Sequence, residues 1–217
     1  MLILGHRGVT TGEVNENTID AFQLAKERGA AGIETDIRRT KDDKLILFHD
    51  SSIAKKLIKN LTYKQIENRI GYKPTILREL LRWASKDFIL NLEVKDPSVS
   101  ADVCAEIECV KNRTYIISSF SHASAFAIAR NTGVECALLM PVKPVFVKPF
   151  LQLIPAKIEY IIWNYDVYTE SLRVELPRFK HLLYNVGEIK PVEKCDGIIS
   201  DHLDTHINSK RASSPQP

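Results

Sequence analysis

Four short clusters in the 217-residue chain hold the side chains that do chemistry: His6-Arg7-Gly8, Gly32-Ile33-Glu34-Thr35-Asp36, Phe48-His49-Asp50 and Asn91-Leu92-Glu93-Val94-Lys95. In an extended segment residues i and i+2 share a face. Glu34 and Asp36 therefore point together, and so do Glu93 and Lys95. Two adjacent carboxylates in a low-dielectric setting repel each other unless something cationic lies between them. A hard divalent cation with oxygen ligands meets that need. The alternative is a pair of surface acids on an exposed strand, but Ile33 and Ile37 flank them and place the opposite face in apolar packing. Glu93 is a candidate to complete the cation site. Lys95 is either a point charge for a phosphate oxygen or simply the ion-pair partner of Glu93. Arg7, with Gly8 allowing close backbone approach, reads as an anion grip. His6 and His49 are of the type that moves protons near neutral pH. A lone histidine is more often structural, so the weight falls on the four clusters occurring together. Their joint chemistry is displacement at a phosphodiester. The cation and the two basic side chains meet the phosphate charge, and the histidines serve as acid and base.

Each cluster sits at the C-terminal end of a predicted strand, the edge where parallel α/β folds build their sites. Strands are expected at Leu2–Gly5, Ile33–Ile37, Leu45–Phe48, Phe88–Val94, Tyr115–Ser118, Glu135–Leu139, Tyr160–Trp163, His181–Val186 and Gly197–Ser200. Amphipathic stretches between them predict helices over Thr18–Arg28, Ile76–Ala84, Val99–Val110, Ser121–Asn131, Val145–Ile154 and Thr169–Leu176. Asn17 is placed to cap the first helix and Gly29 to close it. Residues 51 to 76 read as a connecting segment with a short helix near Tyr63–Asn68. This β-α rhythm argues for a parallel sheet clad in helices, either a doubly wound open sheet or a closed (β/α)8 barrel. One barrel domain over 1–208 is expected, with a flexible polar tail over 209–217.

Bulk composition excludes several classes. The formal net charge is only +3, without dense Lys/Arg clustering, which argues against a nucleic-acid binder. No apolar run approaches the roughly 20 residues that span a bilayer, and no secretory signal is visible after Met1. Cys104, Cys109, Cys136 and Cys195 form no C-x-x-C pair and read as buried free thiols, which favours a reducing compartment. The expected location is cytoplasmic.

The clusters belong to a longer ordered set: His6-Arg7-Gly8, Glu16-Asn17-Thr18 with Ala21-Phe22, Gly29-Ala30, Gly32 to Asp36, Phe48-His49-Asp50, Pro74-Thr75-Ile76-Leu77, Glu93-Val94-Lys95, Ser119-Phe120 and Asp196 to Asp201. In this order and spacing, over nearly the whole chain, the sequence resembles the glycerophosphodiester phosphodiesterases. The resemblance implies a single (β/α)8 TIM barrel. It implies Glu34, Asp36 and Glu93 as ligands of Mg2+ or Ca2+, His6 and His49 as the acid–base pair, and Arg7 and Lys95 as phosphate contacts. The implied products are sn-glycerol 3-phosphate and an alcohol, by way of a cyclic phosphate formed by the glycerol 2-hydroxyl. One stretch departs from the family pattern: Tyr184-Asn185-Val186-Gly187 stands where the family usually has a Trp-Thr-Val-Asn-like run. It bears on the pocket wall, not on the cation site.

Two rival readings remain at this stage. One is a lipid-directed phosphodiesterase of the lysophospholipase D kind, acting on a lysophospholipid. The other is a degenerate barrel that binds phosphodiesters without turnover, which would be expected to have lost a ligand or a histidine. Phe120 and Trp163 fall at strand ends and are candidates to line the pocket, with barrel-top packing as the plainer alternative. The mixed basic and apolar segment Lys143–Leu151 is a candidate for peripheral lipid contact, although such a stretch is more often a helix packed on its barrel.

Overall fold

The structure is a computed structural model, and it describes every residue except 11, 13, 111, 143–153, 155–156, 189–193 and 214–217. Short apolar runs become β1 (Leu2–His6), β2 (Gly32–Arg39), β3 (Leu45–Leu47), the two-residue pair β4 (Ser52–Ile53) and β5 (Lys56–Leu57), β6 (Ile89–Val94), β7 (Tyr115–Ser119), β8 (Cys136–Leu139), β9 (Ile158–Asn164), β10 (Lys180–Tyr184) and β11 (Gly197–Ser200). The amphipathic stretches become α1 (Ile19–Arg28), α2 (Tyr63–Ile70), α3 (Leu77–Trp83), α4 (Ser100–Cys109), α5 (His122–Thr132), α6 (Glu170–Glu175) and α7 (Leu203–Ser213).

Eight of the strands run parallel in the order β1-β2-β6-β7-β8-β9-β10-β11, and β11 pairs again with β1, so the sheet closes. The expected (β/α)8 barrel is the observed fold, and the open doubly wound sheet is excluded. Closure brings β1 against β2 and β2 against β6 with no room for side chains between backbones at one level. A Cβ on Gly32 would lie 2.1 Å from the Ile89 carbonyl oxygen, so only glycine fits there.

Alternation along the strands separates two cores. Leu4, Ile116, Ala137, Leu139, Tyr160, Ile162, Leu182 and Ile199 fill the barrel interior. Their neighbours one residue along, such as Ile3, Ile117, Leu138, Ile161, Trp163, Leu183 and Ile198, face outward beneath the helices. Fully burying one such aliphatic side chain contributes roughly 1.5–3 kcal/mol. The alternation also fixes the site: two residues beyond Leu4, Ile116, Ile162, Leu182 and Ile199 come His6, Ser118, Asn164, Tyr184 and Asp201.

Several expectations change. The Leu45–Phe48 run is not a barrel strand: Asp43, in left-handed backbone at φ 59°, turns the chain, and β3 returns antiparallel along β2. Asn17 does not cap α1. Thr18 does, its hydroxyl accepting from the Ala21 amide, while Gly29 closes the helix at φ 96° as expected. The stretch expected as a tail from Ser209 begins inside α7. Most of the helix expected over Val145–Ile154, and the whole Lys143–Leu151 segment, lie outside the described residues. Of the cysteines, Cys104 and Cys136 are buried and Cys195 partly so, but Cys109 is exposed at the end of α4. Among the described residues, no helix is long and apolar enough to cross a membrane.

Candidate active site

Inward positions on the neighbouring strands β2 and β6 bring Glu34, Asp36 and Glu93 together. All three are buried, and each offers an oxygen within 4.8 Å of the others'. The strand register explains this. Glu34 lies beside His6 on β1, and Asp36 lies beside Glu93 on β6. Inward alternation then stacks Glu93 and Lys95 on the wall next to Asp36. Lys95 Nζ sits 2.9 Å from Asp36 and 2.6 Å from Glu93.

Arg7 reaches the same carboxylates from the β1–α1 loop. Its Nε lies 3.5 Å from Asp36 Oδ2, and its Nη1 donates to both Glu16 oxygens at 3.0 Å. Its backbone N–H, held at φ 53°, donates to Glu34 Oε2 at 3.2 Å. The loop can turn so tightly because residue 8 is glycine: at φ 88°, a Cβ there would lie 2.7 Å from the Ala21 backbone. Asn17, buried and itself at φ 57°, donates to Asp36 Oδ2 at 3.1 Å and accepts from Thr35 Oγ1 at 2.6 Å.

Both histidines open onto the same cavity of about 390 Å3, together with Arg7, Glu34, Glu93 and Lys95. Their routes there differ. His6 ends β1. His49 arrives because β3 runs back toward the barrel mouth, where the Phe48 amide donates to the Asp36 carbonyl at 2.9 Å. Arg38 then holds the His49 carbonyl with two donors, at 2.9 and 2.6 Å. Each histidine has a carboxylate on Nδ1: Asp201 at 2.8 Å for His6 and Asp50 at 2.9 Å for His49. An ionised carboxylate only accepts, so Nδ1 carries the proton and Nε2 is the free nitrogen of the neutral ring. His6 Nε2 faces Glu34 Oε2 at 3.9 Å.

The electrostatics are those of an incomplete charge balance. Burial, reinforced by Asp36 and Glu93, pushes Glu34 up to about 8. Burial also raises Glu93, against the pull of Lys95. At Asp36 burial is outweighed by Lys95 and the carboxyl is held below its ordinary value. Fully ionised, the three carboxylates and Glu16 face only Lys95 and Arg7 and leave two negative charges over. A divalent cation would balance them. The donors are all oxygen, which suits Mg2+ or Ca2+ and not a thiolate-seeking metal. The fit is therefore good on donor type, proximity and charge.

Phe120 lines the cavity, 47% exposed and edge-on to Tyr184 at 6.3 Å. Trp163 does not line it. It is one residue out of phase with the inward positions Ile162 and Asn164, and lies buried in the outer core. There its Nε1 donates to His181 Nδ1 at 3.1 Å. The Tyr184–Gly187 departure does fall on the pocket: Tyr184 and Asn185 are wall residues, and the Tyr184 hydroxyl donates to the Met140 carbonyl at 3.0 Å. Sequence reasoning missed Glu16, Asn17, Asn91, Ser118 and Asp201 as site residues. Inward parity was a usable signal for Asn91, Ser118 and Asp201, and none existed for the loop residues Glu16 and Asn17.

Comparisons with known proteins bear on the family and the fold. Residues 6–145 match the family described as the glycerophosphoryl diester phosphodiesterase family. A glycerophosphodiester phosphodiesterase from Caldanaerobacter subterraneus subsp. tengcongensis is 34% identical over 145 residues, 57% of this chain and 59% of that protein. The chain thus spans about three fifths of the length of that relative, and likewise 61% of a 32% identical uncharacterised protein of Bacillus subtilis. Among solved structures, a glycerophosphodiester phosphodiesterase from Thermotoga maritima superposes with a TM-score of 0.83 at 24% identity, covering 96% of this chain and 97% of that one. A phosphodiesterase from Oleispira antarctica, solved with the product sn-glycerol-3-phosphate, superposes at 0.78 with 19% identity over 98% and 97% of the two chains. At these identities the two superpositions establish the fold.

Proposed function

The chain belongs to the glycerophosphoryl diester phosphodiesterase family, and from that premise we propose that it hydrolyses glycerophosphodiesters to sn-glycerol 3-phosphate and an alcohol. The observation that carries the reading is one cavity lined by Glu34 and Glu93, with Asp36 within 4.8 Å of both, and by His6 and His49. A relative of the same fold binds sn-glycerol-3-phosphate, which supports the product assignment.

Glu34, Asp36 and Glu93 would hold a divalent cation, Mg2+ or Ca2+. When bound, it supplies neutralisation and orientation of the phosphate. The chain's own residues do the rest. Lys95 and Arg7 add fixed positive charge where the phosphoryl oxygens gather charge. Glu16 holds the Arg7 guanidinium in place, and Asn17 holds Asp36. Asp201 and Asp50 fix the tautomers of His6 and His49. One histidine enters as the neutral ring and takes the proton of the attacking oxygen at Nε2. The other enters as the imidazolium, protonated on both nitrogens, and gives its Nε2 proton to the leaving alcohol.

Two exposed apolar side chains at the mouth, Phe120 and Val142, favour one variant of this reading, in which the substrate is a lysophospholipid whose acyl chain rests there. Turnover of glycerophosphocholine and lysophosphatidylcholine, each assayed with Mg2+, with Ca2+ and with EDTA, tests both. Hydrolysis of glycerophosphocholine that EDTA abolishes is expected, and full activity in EDTA overturns the cation assignment. No turnover of either substrate in any metal restores the binding-only reading.

A further inference from the structure

We propose that Asn91 and Ser118 form a hydroxyl-reading subsite in the cavity, which grips the glycerol end of the substrate and leaves the alcohol end at the mouth. The inference rests on the proposed function for the identity of the ligand, but not for the existence of the subsite. Both side chains are fully buried, at 0% exposure, and both line the cavity. The side-chain nitrogen and oxygen of Asn91 and the Ser118 hydroxyl have no hydrogen-bond partner among the described residues. Other buried polar side chains nearby are engaged. Asn17 bonds Asp36 and Thr35, and Asn164 accepts from the Asp166 amide. An amide and a hydroxyl left bare inside a barrel forfeit their hydration without return.

Their positions narrow the ligand. Register places Ser118 beside Glu93 and Asn91 beside Glu34, so both border the carboxylate cluster. The amide offers two donors and an acceptor, and the hydroxyl offers one donor and accepts as well. A phosphate monoanion or dianion is essentially an acceptor and would leave the Asn91 oxygen bare; Arg7 and Lys95 suit it better. A vicinal diol both donates and accepts at neighbouring atoms, and so can satisfy Asn91 and Ser118 together. Leu139 and Ile199, the apolar lining nearby, meet only its carbon backbone. With the diol on Asn91 and Ser118, the other ester arm leads out past Phe120 and Val142.

Calorimetric binding of sn-glycerol 3-phosphate and of n-propyl phosphate, to the full chain with saturating Mg2+ and separately with Ca2+, tests this. The two ligands share phosphate and carbon chain and differ in the hydroxyls. The wild type is expected to prefer sn-glycerol 3-phosphate by about tenfold or more. Asn91→Leu and Ser118→Ala are each expected to lose most of that preference while binding n-propyl phosphate within about twofold of wild type. Should Asn91→Leu fail to fold, Ser118→Ala, which deletes one oxygen, decides alone. A wild-type preference that survives in the variants overturns the inference, as does equal binding of the two ligands by the wild type. Absence of glycerophosphocholine turnover by the wild type overturns the proposed function instead, and the binding ratio still decides this inference.

Discussion

His6 and Asp201 stand 195 positions apart in the chain and meet at 2.8 Å across the barrel mouth, Nδ1 to Oδ1. The closing pair of strands, β11 against β1, puts them there. Thr10 donates to the same Asp201 oxygen at 2.9 Å, so the carboxylate is fixed from two sides. Burial works to lower the His6 pKa, yet the bond to Asp201, with Glu34 behind it, holds it above its ordinary value.

Asp201→Asn should therefore act through His6. The amide still reaches Nδ1 but no longer enforces the tautomer. We expect kcat to fall about 10- to 100-fold, part of the roughly 10²–10⁴ that a positioned acid or base supplies. The limb of the kcat/KM profile governed by His6 should move to lower pH, since its raising partner is gone. A pH–rate profile checks this. An unshifted limb with unchanged kcat would show that Asp201 does not govern His6.

The carboxylate cluster predicts a loss of a different kind. Glu34→Gln, Asp36→Asn and Glu93→Gln should each weaken Mg2+ and Ca2+ binding in titration calorimetry and cut activity about 100-fold or more. In EDTA, Glu34→Gln and Glu93→Gln should melt no lower than the wild type, because each removes a carboxylate that burial and its neighbours disfavour when ionised. Asp36→Asn should melt lower, because its ionised carboxylate is the partner of Lys95 and Arg7 and the fold favours that charge.

Stability without a cation should depend on pH in a definite direction. Glu34 is held near 8, Glu93 is raised, and His6 is raised. Each binds more protons folded than unfolded between its ordinary pKa and its raised one. The slope of unfolding free energy with pH is negative there. The melting temperature in EDTA should therefore fall as pH rises from about 5 to 8, and saturating Mg2+ should remove most of that fall. A flat or rising profile in EDTA would contradict the buried, repelling cluster.

Much of this site was legible because strand parity is a short-range rule. Glu34 with Asp36, and Glu93 with Lys95, needed only alternation within one strand. Trp163 was read from its place at a strand end and not from parity: the strand runs one residue further, to Asn164, and alternation from Ile162 and Asn164 puts the ring in the outer core. His49 was assigned to the right rim for an incomplete reason: the Asp42-Asp43 turn was visible, but not that β3 would fold back along β2. Asp201 was quoted as part of a motif without a role, and Asn17 was read only as a helix cap. Their partners lie across the chain closure and across a loop, and no local pattern encodes such pairings.

Trp163 and Phe120 should separate accordingly. Trp163→Ala empties a buried site and should cost about 3–5 kcal/mol in denaturant unfolding. Trp163→Phe keeps most of the volume but leaves His181 Nδ1 unpaired, costing about 1–3 kcal/mol. In both, KM for glycerophosphocholine should hold. Phe120→Ala, at the exposed mouth, should change stability by no more than about 0.5 kcal/mol and alter KM. A KM effect from Trp163→Phe would mean that the ring reaches the pocket after all.

Asn17 and Thr18 offer the sharpest contrast, because adjacent residues serve different ends. Thr18 caps α1, so Thr18→Ala should cost about 1 kcal/mol of stability with little change in cation affinity. Asn17 adds nothing to the cap; it fixes Asp36 and satisfies the Thr35 hydroxyl. Asn17→Gly is the cleaner substitution, since glycine tolerates the φ of 57° without strain. It should lower cation affinity about 10- to 100-fold, the usual range for removing a residue that orients a ligand. Its stability loss should come from Thr35 and Asp36, and so should largely persist when Thr18 is already alanine. Near-additive unfolding free energies in the double variant, with affinity following only the Asn17 substitution, are the expected result. Strong coupling between the two, or cation affinity that follows Thr18, would place Asn17 back in the helix cap.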